Sequence, residues 1–125
     1  PNRIYLNLKK RFPRGIVDAS EKKALKEEIS GKLLKLEYQG KKVVRRVFFG
    51  EDIYAGPLLP KAPDLIVLGE PGFDMKGSTK KKEVFGRTSL QGMHTWDDAF
   101  FLADSRFGED LEIADLAKII LRNFS

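Results

Sequence analysis

The side chains best equipped for chemistry gather in one short stretch, Gly92-Met93-His94-Thr95-Trp96-Asp97-Asp98, which holds the chain's single histidine and single tryptophan. The glycine frees the backbone, the imidazole can ligate a metal or carry a proton, and two adjacent carboxylates follow. Ala99-Phe100-Phe101-Leu102-Ala103 comes next, an apolar run of strand length closed by Asp104. The stretch therefore reads as a polar loop feeding a buried strand. Loops fixed in this way are where α/β proteins place ligand-handling residues, because the strand holds the side chains at its ends. A solvated turn, with Trp96 capping the core, is the competing reading of the same residues.

Two further carboxylates, Glu70 and Asp74, follow the aliphatic run Leu65-Ile66-Val67-Leu68-Gly69. Loops after the strands of an open parallel sheet line its ligand crevice, so both are secondary site candidates, weighed against simple solvation of a turn. Gly77-Ser78-Thr79-Lys80 lacks the upstream glycine and the Lys-Ser/Thr order of a phosphate-binding loop, which excludes that motif. Ser78, Thr79, Ser89 and Thr95 supply hydroxyls without an evident base and metal pair, and are read as structural.

The elements that must position these groups can be read from periodicity. Arg3-Ile4-Tyr5-Leu6-Asn7-Leu8 alternates with Ile4, Leu6 and Leu8 on one side, which predicts a strand buried on one face. A basic loop, broken by Pro13 and Gly15, leads to Ile16-Val17, expected to re-enter apolar surroundings. Asp18 and Glu21 have capping-box spacing and predict a helix over 20–36. Its inward stripe is Leu25, Ile29, Leu33 and Leu36, with Lys22, Lys23, Lys26, Glu27 and Lys35 on the wet side. A turn at 39–42 and a β-forming run over 43–49 follow, the latter an edge or a partly covered strand. The apolar residues of the proline-broken segment 53–60 are expected to cover the sheet. Leu65 to Gly69 is the clearest buried strand, of the kind common in parallel sheets, and Phe73 to Met75 a short one. A closing helix over 111–124 should turn Ile113, Leu116, Ile120 and Phe124 to the core. Strands alternating with helices imply one α/β domain over residues 1–125, a layered sheet with at least two helices.

Composition narrows the classes. The 125 residues are 42% hydrophobic and 33% charged, with no cysteine, which excludes disulfides and thiolate metal sites. No apolar run approaches the roughly 20 residues that cross a bilayer, and no leader pattern is visible, so the expected compartment is the cytoplasm, without membrane partners. Many Lys, Arg and Glu with few Met also suit a heat-adapted source. The net charge of +5 favours acidic partners, and Arg45-Arg46 and Lys80-Lys81-Lys82 are the clusters that could meet them. Acidic residues interrupt the clusters, and no aromatic-basic repeat marks a single-strand binding sheet.

Three blocks in order are Arg3-Ile4-Tyr5-Leu6-Asn7-Leu8 with Gly15-Ile16-Val17, Ala62-Pro63-Asp64-Leu65-Ile66-Val67, and Gly92-Met93-His94 through Phe101 with Ile113-Ala114-Asp115-Leu116-Ala117. Together they resemble the carboxy-terminal part of phosphohydrolases and phosphomutases of the type I phosphodiesterase/nucleotide pyrophosphatase group, in the alkaline phosphatase superfamily. The resemblance implies a fragment-like α/β layer related to the carboxy-terminal part of that fold. It further implies a divalent metal pair, zinc or manganese, that offsets charge on attacking and leaving oxygens of a phosphate ester. It maps one metal-ligating histidine onto His94, with the nucleophile and most other ligands in chain preceding Pro1. One imidazole cannot hold a catalytic zinc, which needs about three protein ligands, and adjacent Asp97 and Asp98 do not readily converge on one ion. The chain alone is thus expected to be inactive and to bind no metal by itself, its partner being the upstream portion of the same protein, with homodimerisation through uncovered surface as a further expectation. The alternative reading is a non-catalytic interaction module for an acidic partner or nucleic acid.

Overall fold

The computed structural model describes residues 2–78, 80, 82–87, 89, 92, 100–102 and 111–122. Among them the chain forms a small α/β protein with two antiparallel sheets and three α-helices. The run Leu65-Ile66-Val67 is buried and forms the start of a central strand. In chain order the elements are β1 (Asn2–Ile4), α1 (Lys22–Leu34), β2 (Glu37–Tyr38), β3 (Lys41–Lys42), β4 (Val44–Phe49), α2 (Gly50–Ile53), a 3-10 turn (Leu59–Lys61), β5 (Leu65–Gly69) and α3 (Ile113–Arg122).

The larger sheet has the order β1-β5-β4, which places the most apolar strand in the middle. Ile4 stands opposite Leu65 on one side and Phe49 opposite Leu65 on the other, both pairings antiparallel. The parallel setting expected for β5 is thereby corrected. An aliphatic run reports that a strand is covered on both faces; it carries no information on the direction of its neighbours. The alternation of residues 3–8 is borne out, since Ile4, Leu6 and Leu8 are more covered than Arg3, Tyr5 and Asn7. The strand itself is short, and beyond it Leu8 makes only an isolated parallel bridge to Val17. Ile16 stays 73% exposed instead of entering the core.

Helix α1 starts at Lys22, two residues later than the capping pattern predicts. The Asp18 N–H donates to the Glu21 carboxylate at 2.9 Å, which is half of a capping box. The Asp18 carboxylate instead accepts from Lys9 Nζ at 2.7 Å, so it does not serve the helix. Leu33 and Leu36 pack against Val43, Val44 and Val67, and α1 lies against β4. Lys26, predicted on the wet side, is the helix's buried residue. Lysine's four-carbon stem lets it line an apolar face when its ammonium finds a partner, so residue type alone misplaces it.

The turn between β2 and β3 is a two-residue hairpin loop. Gln39 (φ 51°) and Gly40 (φ 73°) both occupy left-handed backbone, as a type I′ turn demands. A register shift between Val44 and Arg46 accounts for the imperfect alternation of β4, an edge strand of the described sheet. Residues 53–60 do not cover the sheet as predicted: Leu58 is 67% exposed, and Ile53 and Tyr54 face solvent. Residues 73–75 are irregular instead of a strand, although Phe73 and Met75 do pack on the core. In α3 the more covered positions are Asp115, Leu116 and Ile119, while Ile113 and Ile120 are exposed. This rotates the inward face by one position from the expected one. Phe124 lies outside the described residues. Among the described residues no helix is long and apolar enough to cross a membrane.

Candidate functional site

The structure gathers its charged side chains at the start of β5. Asp64 directly precedes the strand, its side chain only 1% exposed. Backbone pairing fixes it on two sides: its N–H donates to the Ile4 carbonyl at 2.9 Å, and its own carbonyl accepts from Gly50 N–H at 3.0 Å. Its Oδ2 accepts from Leu6 N–H and from Arg11 Nη1, both at 2.8 Å. Arg11 also donates through Nη2 to the Ala62 carbonyl at 2.5 Å and lies near the rings of Tyr5 and Phe12. Oδ1 has Lys22 Nζ at 2.9 Å, an ion pair without hydrogen-bond alignment. One carboxylate thus ties together β1, the basic loop, α1 and β5.

A second pair stands beside the first. Lys26, one turn on from Lys22, has a side chain 3% exposed, donates to Glu51 of α2, and lies 4.5 Å from the Phe49 ring centroid. The ring face offers the buried ammonium a second favourable contact. The hydrogen bond from Lys26 holds the Glu51 carboxyl below its ordinary range, and partial burial opposes that effect. Lys22, Glu51 and Asp64 line a cleft of about 390 Å³ together with Gly50, Leu59, Pro60, Ala62 and Pro63. Gly50 is required where α2 meets β5, because a Cβ there would lie 2.0 Å from the Pro63 carbonyl oxygen.

None of these five ionic residues was singled out by sequence reasoning. The available signals were the i, i+4 spacing of Lys22 and Lys26 and a carboxylate placed between Pro63 and an aliphatic run. Of the predicted site residues, Glu70 and Asp74 lie at the far end of β5 from the cleft. The Glu70 N–H donates to the Val43 carbonyl, and its own carbonyl closes a turn by accepting from Phe73 N–H. Asp74 is exposed and pairs with Lys76 at 2.5 Å. With β5 antiparallel to its neighbours, the parallel-sheet argument for these two carboxylates no longer applies. His94, Asp97 and Asp98 lie outside the described residues. Among the described residues no three His, Cys, Asp or Glu side chains cluster as a metal site. Comparison with protein-family models, curated proteins and solved structures finds no match to this chain.

Proposed function

We propose that this chain is the carboxy-terminal portion of a metal-dependent phosphoric ester hydrolase or phosphomutase, with His94 supplying one metal ligand and the remaining ligands and nucleophile coming from upstream chain. The reading originates in the ordered sequence blocks that end in Gly92-Met93-His94. The observation in the fold that supports it is uncovered apolar surface. Among the described residues Ile16, Tyr54, Leu58 and Ile113 are exposed, a surface that further chain could cover.

The test is hydrolysis of bis-p-nitrophenyl phosphate by the full-length gene product, with manganese or zinc and with His94→Ala. Metal-dependent hydrolysis is expected, and loss of the imidazole should lower it by about two orders of magnitude. Unchanged activity in His94→Ala would remove that residue from the mechanism, and no hydrolysis with either metal would remove the reading.

One observation favours a second reading, an interaction module for an acidic partner or nucleic acid. β3 and β4 follow each other directly, and Lys41, Lys42, Arg45 and Arg46 are all exposed on them. If all four engage duplex phosphates, log affinity should fall against log salt with a slope of roughly −3 to −4. A salt-independent or absent interaction would exclude it.

A further inference from the structure

We infer that the outer edge of β4 docks an extended acidic segment of a partner protein, which adds to the sheet as a further strand. The inference rests on the interaction-module reading and names the partner that such a module would take. In the order β1-β5-β4 the strand β4 ends the sheet, and among the described residues no strand pairs with its other edge. The ladder fixes which backbone groups stand there. Gly50 N–H donates to the Asp64 carbonyl at 3.0 Å. Bonds of an antiparallel pair recur at every second residue, so counting back from Gly50 places them at Phe48, opposite Ile66, and at Arg46, opposite Leu68. The N–H and carbonyl of Val47 therefore turn outward, as does the Phe49 N–H.

Donors and an acceptor in alternation match another peptide backbone, which carries the same groups at the same spacing. A phosphate backbone only accepts, and would leave the Val47 carbonyl without a donor. Charge then names the partner. Lys41, Lys42, Arg45 and Arg46 are exposed along β3 and β4. The Arg46 guanidinium lies 4.7 Å from the centroid of the half-buried Phe48 ring, so a cation and an apolar ring share one face of the strand. Pairing of two copies along this edge would crowd the exposed cations of both, and the register shift between Val44 and Arg46 breaks the flat run that self-pairing needs. A strand with carboxylates at alternate positions relieves that repulsion. The asymmetry extends beyond β4: residues 1–50 hold 14 of the 23 Lys and Arg but only 5 of the 18 Asp and Glu, so this half of the chain attracts an acidic segment as a whole.

A short peptide of alternating glutamate and valine, titrated into the ¹⁵N-labelled chain at low salt, should give saturable shifts at the amides of Val47 and Phe49 and slow their hydrogen exchange. The same peptide N-methylated at every residue keeps its charge but can neither donate nor approach the edge closely, and should bind at least about tenfold more weakly. Arg46→Glu should weaken the unmodified peptide by about tenfold. Lys10→Glu, the same change of charge in the basic loop after β1, should not. Equal binding of the N-methylated peptide, or an equal loss in Lys10→Glu, would reduce the contact to general attraction and overturn the proposal. So would shifts at Val47 and Phe49 with a short DNA duplex and none with the peptide, which would keep the interaction-module reading and make nucleic acid its partner. Binding of neither at low salt would remove that reading as well.

Discussion

At the scale of single residues, Asp64 carries more of the fold than any other polar side chain described. Replacing it with alanine leaves the Leu6 N–H without its acceptor and takes the countercharge from Arg11 and Lys22. Asp64→Ala should lose about 3–5 kcal/mol of stability, the range for breaking a buried ion pair from one side, read as a lower denaturant midpoint. The neighbouring pair should respond asymmetrically. Glu51→Gln leaves the ammonium of Lys26 a neutral amide oxygen in place of its countercharge and should cost about 1 kcal/mol, a figure already reduced because Glu51 is 47% exposed. Lys26→Met keeps the stem against Phe49 and removes the buried charge, so its cost should be near zero. The pair also carries a pH signature. Because Lys26 depresses the folded-state pKa of Glu51, the pair's contribution is complete above the ordinary carboxylate value and is lost as pH falls through the depressed one. Stability measured from neutral to acid pH should therefore have a shallower acid limb in Glu51→Gln than in the parent.

At the scale of elements, the backbone junctions decide where the ionic side chains stand. The approach of α2 to β5 brings the Gly50 N–H onto the Asp64 carbonyl, and the next residue is Glu51. Gly50→Ala must push α2 away from Pro63, since the contact is with backbone that cannot rotate aside. A loss of about 1–3 kcal/mol is expected in thermal unfolding, typical of overpacking. The β2–β3 hairpin should move in the other direction: Gln39→Gly relieves a left-handed residue and should gain up to about 1 kcal/mol by the same measurement. These junctions also explain what could be read in the sequence. The alternation of residues 3–8, the central strand over 65–69 and half of the Asp18-Glu21 capping pattern follow from local pattern, and the structure has them. The direction of β5 does not follow from local pattern, because burial of Leu65-Ile66-Val67 is satisfied by neighbours of either sense. Nor does the cleft: Lys26 and Asp64 look like surface residues until β1, α1 and β5 are brought together around them. In residues 53–60 and in α3, apolar residues were assigned to the core by type alone, yet which of them are covered depends on what packs there. The phosphoester reading rests on His94, Asp97 and Asp98, outside the described residues, so its fate lies with the metal-dependence assay.

At the scale of the whole molecule, the distribution of apolar surface separates a self-sufficient domain from a portion of something larger. Tyr54 and Leu58 flank a shallow groove of about 280 Å³ with Ala55, Leu59, Lys61, Ala62 and Pro63; Leu58 is 67% exposed and Tyr54 40%. Contiguous apolar surface of this kind is where soluble chains associate. If the groove is normally covered, the 125-residue chain by itself should either dimerise through it or bind an apolar dye there. Sedimentation velocity should show an average mass that rises with concentration, and Leu58→Lys should hold the chain monomeric. That substitution should cost little stability, since Leu58 is 67% exposed. In the full-length gene product the same lysine would sit under covering chain, so Leu58→Lys there should destabilise the protein. A strictly monomeric 125-residue chain that binds no dye, together with a neutral Leu58→Lys in the longer protein, would mean that the groove faces water in both. The exposed residues would then give no support to a larger parent enzyme.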